Sequence, residues 1–469
     1  MHYPWWYVPF LTSPMLIAVI AVVHVLVAHY AVGGGLFLAF ETSFAYRTKD
    51  QEYLAYLKRH TGFFVPLTVV FGAITGVGIW WTIGLASPLS TEVLIRTFVF
   101  GWATEYVFFV LEIVSAFAFY YYWGRLSRKT HEAMGWIYGA SAWISLVLIT
   151  GITAFMLNPG VWLDPARRSF WTGFFNPQFI PQTVARTGGA LLLSSLYVYL
   201  HASITIKDRR LHHLIARRSA RPALLGAILV TVGGLGWYVF LPPSAKAALE
   251  SAAVLSLLSV LIFALTAVVF AMLYLGPYRN PDWLSPGFAG ALALLGIAAF
   301  STGEFIREAV RKPYVIYNVV LGNQIFPDEV AELRTTGFLR DSSRSKLEGS
   351  SWIQASVRNL GKFSRGDPGR ILFMYHCNDC HAATAGYSAV APLIRGWTPQ
   401  RILDLIEHLD EGHFFMPPWA GTTQEAKWLA EYLETIAPGR PAGMLPERPA
   451  VKGPLRTRRD SERTADERR

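Results

Sequence analysis

The sequence contains two cysteines, and they lie three positions apart in the segment Cys377-Asn-Asp-Cys380-His381. A C-x-x-C-H segment is the pattern that attaches a c-type haem, because the two thiols reach both vinyl groups of one porphyrin and the histidine becomes the proximal iron ligand. A chance match or a redox-active cysteine pair is the alternative interpretation. Zinc is disfavoured, because a structural zinc ion takes about four cysteine or histidine ligands. We therefore expect one covalent haem c.

The ligand on the opposite side of that iron is predicted to be Met416, in the segment Phe-Phe-Met-Pro-Pro-Trp. A thioether ligand raises the haem potential and suits electron transfer. A methionine that only packs is the alternative, and His408 and His413 compete for the position. The residues around Met416 resemble the end of single-haem class I cytochromes c, in which a methionine loop precedes a final helix that crosses the first. Phe373 and Tyr432 would meet at that crossing.

Ionisable residues also occur within long apolar stretches, where a charge is costly and is therefore a functional hypothesis by default. His24 and His29 lie on the first stretch, and Glu105 and Glu112 share one face of the third. A stripe with helical spacing lies near the end of the eighth stretch: Glu304, Arg307, Glu308 and Arg311. A histidine satisfied within the core and a structural ladder of ion pairs are the alternatives. In a chain that ends in a haem domain, we interpret these residues as iron ligands and propionate partners.

The apolar stretches that must position these residues dominate the composition. Of 469 residues, 52% are hydrophobic and 16% are charged, whereas a soluble domain has about 25% charged residues. Several stretches reach the length of about 20 residues that spans a bilayer. They are Pro14–Ala45, Gly62–Leu85, Leu94–Trp123, Glu132–Leu157, Thr183–Ile206, Pro222–Leu241, Leu249–Leu275 and Phe288–Val310.

The net charge of +10 is concentrated in short loops and in the last residues, which is typical of a membrane protein and argues against a nucleic-acid partner. The loops after the first, third, fifth and seventh stretches are the more basic ones, so the positive-inside rule places the N-terminus outside. An even number of helices returns the chain to the outside after about Arg311. The first stretch exceeds the signal-peptide core of about 7–15 residues, so we expect a retained helix.

The predicted fold class is all-α: a polytopic membrane helix bundle followed by a small α-helical cytochrome c domain. We assign residues 1–320 to the transmembrane domain and 321–366 to a linker or docking segment outside the membrane. Residues 367–438 form the cytochrome c domain, and 439–469 form a basic tail that is too polar to fold.

The membrane part resembles subunit I of the cytochrome bd oxidases in four segments. Those segments are His24 followed by Gly33, Gly34 and Glu41; Glu105 and Glu112 followed by Trp123-Gly-Arg-Leu126; Phe155-Met-Leu-Asn-Pro159; and Glu308-Ala-Val-Arg311-Lys-Pro313-Tyr314, which is similar to the family's E-x-G-R-Q-P-W signature.

The resemblance implies two buried haems, of type b or d, and roles for individual residues. His24 would ligate the haem at the oxygen-reactive position, and Glu308 would ligate the neighbouring high-spin haem. Glu105 and Glu112 would be a distal ligand or carboxylates of a proton path, and Arg311 would hold a propionate. The resemblance also implies a second membrane subunit as a partner. It assigns no role to His29.

The chain departs from the family at the site where quinol electrons enter. The histidine that binds the family's low-spin haem b near the start of the fifth helix is replaced by Ala185-Arg186, and the methionine partner on the seventh helix is missing. The quinol-binding loop is reduced to about Pro242–Ala248, and the cytochrome c domain stands in place of the ninth helix. These losses are mutually consistent, since the c-type haem lies on the side where quinol electrons would have entered.

The leading hypothesis is a bd-type, oxidase-like oxidoreductase of the bacterial inner membrane. A periplasmic donor would supply electrons through haem c, and oxygen or a related small molecule would be reduced at the buried pair. The alternative is a conduit that does not react with oxygen and that connects a quinone or a partner subunit with periplasmic acceptors. A haem-based sensor is a weaker third reading, because the sequence shows no output domain.

The ligand losses give a spectroscopic prediction for the purified protein. Its pyridine haemochrome and reduced-minus-oxidised spectra should contain c-type and high-spin b-type signals and no low-spin haem b, because both ligands of that haem are absent. A clear low-spin haem b spectrum would contradict the argument from ligand loss.

Overall fold

The computed structural model describes residue 8 and residues 10–339, 368–413 and 415–437. Within this part of the chain, eight helices are long and apolar enough to cross a membrane, one for each predicted stretch. They span Ser13–Thr48, Gln51–Ala86, Val99–Tyr121, Arg128–Phe155, Phe179–Thr205, Arg209–Val239, Ala253–Arg279 and Pro286–Ala309. The all-α fold class is confirmed: the described residues contain one pair of short strands.

Several of these helices begin at polar caps that the sequence provides. The carboxylate of Asp208 accepts a hydrogen bond from the Leu211 N–H at 2.7 Å, and the Ser127 hydroxyl accepts one from Thr130 at 3.2 Å. Ser285 caps the eighth helix in the same way and is followed by Pro286, whose missing N–H is no loss in a first turn. Short helices connect the spans at Pro88–Thr97, Phe170–Phe174 and Pro243–Ser251.

The fifth and sixth helices pack most closely, because small residues let their backbones approach each other. A Cβ placed on Gly188 would lie 2.5 Å from the carbonyl oxygen of Gly226, and the reverse placement gives the same distance. Close approach through small residues is how membrane helices gain packing energy when lipid offers no hydrophobic driving force. The fifth helix also contacts the first and the eighth, so it lies at the centre of the bundle.

The bundle has two faces of different character. Helices one, three, five and seven begin at the face on which the C-terminal domain lies, where the Tyr387 N–H donates to the Phe10 carbonyl at 2.9 Å. We call this the docking face. At the opposite, basic face, Arg210 pairs with Asp50 at 2.9 Å and with Glu52 at 2.6 Å. The expectation that the N-terminus and the C-terminal domain share one side of the bundle is therefore confirmed.

The C-terminal domain is built from short helices after a small hairpin. The strands Tyr314–Ile316 and Val320–Leu321 are antiparallel, with Tyr314 opposite Leu321 and Ile316 opposite Val320. The helices that follow are Val330–Thr336, Pro368–His376, Val390–Ile394, Pro399–Glu407, Leu409–Gly412 and Thr423–Ile436.

The second and last of these helices cross, as the class I cytochrome c resemblance predicts. The rings of Phe373 and Tyr432 meet there, with centroids 5.7 Å apart. Gly369 permits the crossing, because a Cβ at this position would lie 2.0 Å from the carbonyl oxygen of Trp428.

The described part of the segment predicted as a linker, residues 321–339, belongs to the core of the C-terminal domain. Leu321, Ile325 and Phe338 are buried in one cluster with Leu372 and Leu429. The predicted boundary at residue 367 therefore differs from the structure, because the mixed polar composition of this segment conceals apolar residues spaced for one buried face. The remainder of the predicted linker, 340–366, and the predicted tail, 439–469, lie outside the described residues.

A buried carboxylate ties this segment to the final helix. Glu425 is 3% exposed and accepts hydrogen bonds from the backbone N–H groups of Phe338 at 2.9 Å and Leu339 at 2.7 Å. It also accepts one from Thr422 at 2.8 Å, which completes the cap of its own helix. These three N–H donors compensate the free-energy cost of burying the Glu425 carboxylate.

Glu425→Ala should lower the free energy of unfolding of the C-terminal domain by about 2–4 kcal/mol, because it leaves buried N–H donors unsatisfied. Thermal unfolding of the full-length protein, followed by the haem c absorption band, measures the change. Glu431→Ala, an exposed position on the same helix, is the matched control and should leave the midpoint unchanged. Equal midpoints for the two variants would contradict the assigned role.

Candidate functional site

The C-x-x-C-H segment forms a tight turn at the end of the helix Pro368–His376. The N–H groups of Cys380 and His381 both donate to the Cys377 carbonyl, at 3.0 and 2.9 Å. The buried Asn378 side chain donates to the His381 carbonyl at 3.1 Å, which stabilises the turn. Both thiols are free. The turn therefore brings the two thiols and the imidazole into one compact segment.

The imidazole of His381 is oriented for metal binding. Its Nδ1 lies 2.8 Å from the carbonyl oxygen of Ser388, which can only accept, so Nδ1 carries the proton and Nε2 keeps its lone pair. A hydrogen bond from the other ring nitrogen is what metal-ligating histidines normally have. Burial lowers the pKa of His381, which keeps the ring in the neutral form that binds iron. The donor set of this turn thus fits a haem c.

Met416 lies on the loop that follows the short helix Leu409–Gly412. Its N–H donates to the His413 carbonyl at 2.8 Å, and His413 is near enough to His381 to help lower the pKa of that ring. The competitor His408 bonds to the Asp404 carbonyl at 2.9 Å at the exposed end of a helix. The neighbour Phe415 packs into an apolar cluster of the membrane helices that includes Ile306 and Val310.

His24 lies on the first membrane helix against the second. Its Nδ1 is 3.0 Å from the hydroxyl oxygen of Thr75, whose own hydrogen is donated to the backbone carbonyl of Phe71 or Gly72. The hydroxyl oxygen must therefore accept from Nδ1–H, which leaves Nε2 with a lone pair. This is the same arrangement as at His381, with a hydroxyl in place of a carbonyl.

His29 lies on a different side of the first helix. Its Nδ1 bonds to the Val25 carbonyl at 2.9 Å, and its ring packs against Phe300 with centroids 5.0 Å apart. Arg186 and Glu304 are close enough to interact electrostatically with the ring. The two histidines of the first helix thus have different hydrogen-bond partners, and they are near enough to interact electrostatically with each other.

The two glutamates of the third helix face the fourth helix, as their spacing predicts. The Ser145 hydroxyl donates to Glu105 at 2.7 Å, and the Tyr138 hydroxyl donates to Glu112 at 3.3 Å. Tyr138 and Ser145 are themselves seven positions apart, so each helix presents one stripe to the other. The pairs form a polar line inside the bundle. The prediction from sequence did not include Tyr138 and Ser145, although their spacing mirrors that of the glutamates.

The stripe on the eighth helix forms two ion pairs. Arg307 contacts Glu304 at 2.9 Å, and Arg311 contacts both oxygens of Glu308, at 2.6 and 2.5 Å. Protein encloses these residues, yet the side chains of Glu304 and Arg307 remain 20% and 25% accessible and that of Glu308 remains 38% accessible. A partly accessible carboxylate beside arginine side chains is a donor set that fits a porphyrin, since a carboxylate can bind iron and guanidinium groups can bind the acidic side chains of the porphyrin.

Lys312 connects the stripe with the haem-attachment turn. Its ammonium group lies near Cys380 and Glu308, and these partners raise the pKa of Lys312. The buried Arg311, one position earlier, has its guanidinium 3.6 Å from the sulfur of Met156. The end of the eighth helix is thus in electrostatic contact with the C-x-x-C-H turn, and the two candidate sites are neighbours across the docking face.

Eight spanning helices, a docked domain with a C-x-x-C-H turn, and histidine, carboxylate and arginine residues inside the bundle define a membrane haemoprotein. The family model for cytochrome bd terminal oxidase subunit I matches residues 13–236. The model for cytochrome c oxidase, cbb3-type, subunit III matches residues 364–433. The chain therefore contains an N-terminal region similar to cytochrome bd subunit I and a C-terminal region similar to the cytochrome c subunit of cbb3-type oxidases, which confirms both resemblances drawn from the sequence.

Individual relatives agree with this division. The chain is 30% identical over 87 residues to the Cbb3-type cytochrome c oxidase subunit CcoP of Helicobacter pylori and of its strain 52, an alignment that covers 17% of this chain. It spans 30% of the length of these curated relatives. The bd oxidase of Geobacillus thermodenitrificans has a similar fold, with a TM-score of 0.56, 19% identity, and coverage of 65% of this chain and 87% of that chain.

The two matched regions and the eight spans indicate a multi-pass membrane haemoprotein of respiratory electron transport. The cytochrome c domain implies haem c, and the cytochrome bd domain implies further haems. The subunit I match ends at residue 236, so the Glu308–Arg311 segment lies beyond it.

Proposed function

We propose that this protein is a bd-type, oxidase-like subunit that receives electrons through its own cytochrome c domain and reduces oxygen inside the membrane. The observation that carries the proposal is the contact between the two candidate sites. Phe415, beside Met416, packs on the end of the eighth helix, and Lys312 interacts electrostatically with both Glu308 and Cys380. A haem held at the docked turn would therefore be adjacent to carboxylate and arginine residues that suit a second haem.

The residues present divide into two sets of cofactor ligands. Cys377, Cys380, His381 and Met416 would hold one covalent haem c. His24 and Glu308 would ligate two buried haems of type b or d, and Arg311 would hold a propionate. When bound, the haems supply one-electron transfer from an external donor and the reduction of oxygen.

The chain's own contribution to the reaction is proton delivery and charge compensation. Glu105 and Glu112 are carboxylates held by hydroxyls at successive levels of the bundle, which supports their role as proton carriers to the buried site. Arg311 pairs with Glu308 and would compensate the negative charge of a haem propionate bound beside it.

The proposed location is the bacterial inner membrane, with the docking face toward the periplasm. The basic face carries the loops rich in arginine and lysine, which the positive-inside rule assigns to the cytoplasm. A periplasmic electron donor would then meet the cytochrome c domain directly. A second membrane subunit of the bd type is the expected partner within the membrane.

Oxygen uptake by the purified protein tests the proposal. With an artificial donor or a reduced cytochrome as electron source, the full-length protein should consume oxygen, and carbon monoxide should shift the spectrum of a buried haem because one iron has an open position. No uptake together with no carbon monoxide binding would contradict oxygen reduction and would favour the conduit. The binding measurement requires only reduced protein, so it is independent of the donor chosen.

Glu308→Gln should lower the occupancy of one buried haem by roughly 10- to 100-fold if Glu308 is an iron ligand, since metal sites respond on that scale to changes even in outer partners. The haem c signal should be unchanged. Glu304→Gln, one turn earlier on the same helix and also paired with an arginine, is the matched control and should retain wild-type haem content. Normal haem content in both variants would show that the Glu308–Arg311 pair is structural.

A further inference from the structure

Lys312 departs from the family signature at the point where the chain leaves the membrane bundle. The signature E-x-G-R-Q-P-W has a glutamine between its arginine and its proline, and this chain has Lys312 between Arg311 and Pro313. An ammonium group therefore replaces a neutral amide at this position. In this chain the domain with the C-x-x-C-H turn follows in place of the family's ninth helix, so the added charge and the added domain occur together.

The backbone on either side of Lys312 is held in place by hydrogen bonds. The Lys312 N–H donates to the carbonyl of Ala309, the last residue of the eighth helix, at 3.3 Å. On the other side, the Gly322 N–H donates to the Pro313 carbonyl at 2.8 Å, which fixes the start of the hairpin. The Lys312 side chain therefore starts from a defined position between the bundle and the C-terminal domain.

The hairpin that follows Lys312 lies against the haem-attachment turn. Tyr314 packs on the apolar cluster of the C-terminal domain, and so does Cys377, the first cysteine of the turn. Just after the hairpin, Asn323 Nδ2 lies 3.4 Å from Nδ1 of His376, the residue before Cys377. Two contacts thus place the hairpin, and with it Lys312, beside the turn that would carry haem c.

The charges around Lys312 leave its ammonium group facing the turn. Arg311 contacts both oxygens of Glu308, at 2.6 and 2.5 Å, so these two charges compensate each other. The partly buried Lys312 interacts electrostatically with Cys380 and Asp379 of the turn as well as with Glu308. A charge that is partly excluded from water is screened less than an exposed one. One positive charge therefore acts on a cysteine to which a haem vinyl group would be bonded.

We infer that Lys312 raises the reduction potential of haem c, an inference that rests on the proposed attachment of that haem at Cys377 and Cys380. The ferric form of a haem carries one more positive charge than the ferrous form, so a neighbouring ammonium group destabilises the ferric form by Coulomb repulsion. The glutamine of the family signature would supply no such charge. Lys312 thus favours the transfer of an electron from an external donor to haem c.

A purely structural role at the domain junction is the competing explanation. Asp379 is buried, its two carboxylate oxygens have no hydrogen-bond partner within the described residues, and Lys312 is the charged group that acts on it. In that case Lys312 would only anchor the turn through Asp379. Loss of an anchor changes stability whatever the new side chain is, whereas an effect on the potential follows the charge at position 312.

The test is a spectroelectrochemical titration of the haem c absorption band in full-length holoprotein. Lys312→Gln, which introduces the residue of the family signature, should lower the equilibrium constant for reduction of haem c roughly tenfold, or about 59 mV for a one-electron couple. Lys312→Glu should lower this constant roughly a hundredfold, because the charge at the position changes by two units. Lys312→Arg keeps the charge and should retain the wild-type midpoint.

Lys427→Gln is the matched control. Lys427 is an exposed lysine on the final helix of the same domain, so solvent screens its charge and the midpoint should be unchanged. A second comparison introduces Asp379→Asn with and without Lys312→Gln, which removes the carboxyl group, and any change in its protonation, from the comparison. The drop caused by Lys312→Gln should persist in that background.

Equal midpoints in the wild type and Lys312→Gln, or the same drop in all three variants at position 312, would overturn the inference. A wild type without a haem c band would remove the haem assignment and the inference together. The titration needs no oxygen, so a wild type that consumes no oxygen but shows the graded shift would remove the proposed oxygen reduction and leave the inference intact.

Discussion

Removing an ionisable side chain from water costs several kcal/mol unless a partner compensates for it, and this constraint decides how the helices of this bundle are arranged. Glu105 and Glu112 of the third helix are satisfied by hydroxyls of the fourth. Near the basic face, Glu41 of the first helix is bonded by Arg218 of the sixth and by Tyr53 of the second. In these cases the partner lies on another helix, so the two helices must pack together for the buried charge to be compensated.

On the eighth helix the charged groups compensate each other within the same helix, and this arrangement explains where the C-terminal domain docks. Glu308 and Arg311 are partners on one helix, so the end of that helix needs no neighbouring span to neutralise it. Its apolar surface is therefore available to Phe415, which packs in one cluster with Ile306 and Val310. Lys312 adds a positive charge at the point where the chain leaves the bundle, close to the C-x-x-C-H turn. The domain is thus held by apolar contacts next to charges that are already compensated.

Features that are local in sequence could be predicted, and features that depend on distant partners could not. The eight spans follow from hydropathy, and the Phe373–Tyr432 contact follows from a family pattern. The pairing of Glu105 and Glu112 with a serine and a tyrosine was missed, because hydroxyls are frequent in apolar helices and nothing local marks the few that bond to a carboxylate. His60 of the second helix and His201 of the fifth have their Nδ1 atoms 3.1 Å apart, although the two positions are 141 residues apart in the chain. The mixed polar composition of residues 321–339 predicts a linker, whereas the spacing of their apolar positions fits the buried face that the structure shows.

The structure also bears on why the position of the family's low-spin haem ligand carries Ala185. A Cβ on Gly233 of the sixth helix would lie 2.5 Å from the backbone nitrogen of Ala185, so the two backbones are in contact there. A histidine ring with a porphyrin beyond it requires several ångströms between those helices. Next to this contact, Arg186 interacts electrostatically with Glu304 and with His29. The negative charge of Glu304 compensates the positive charge of Arg186 inside the bundle. The close approach of the helices at Ala185 therefore supports the prediction that no low-spin haem is bound at this position.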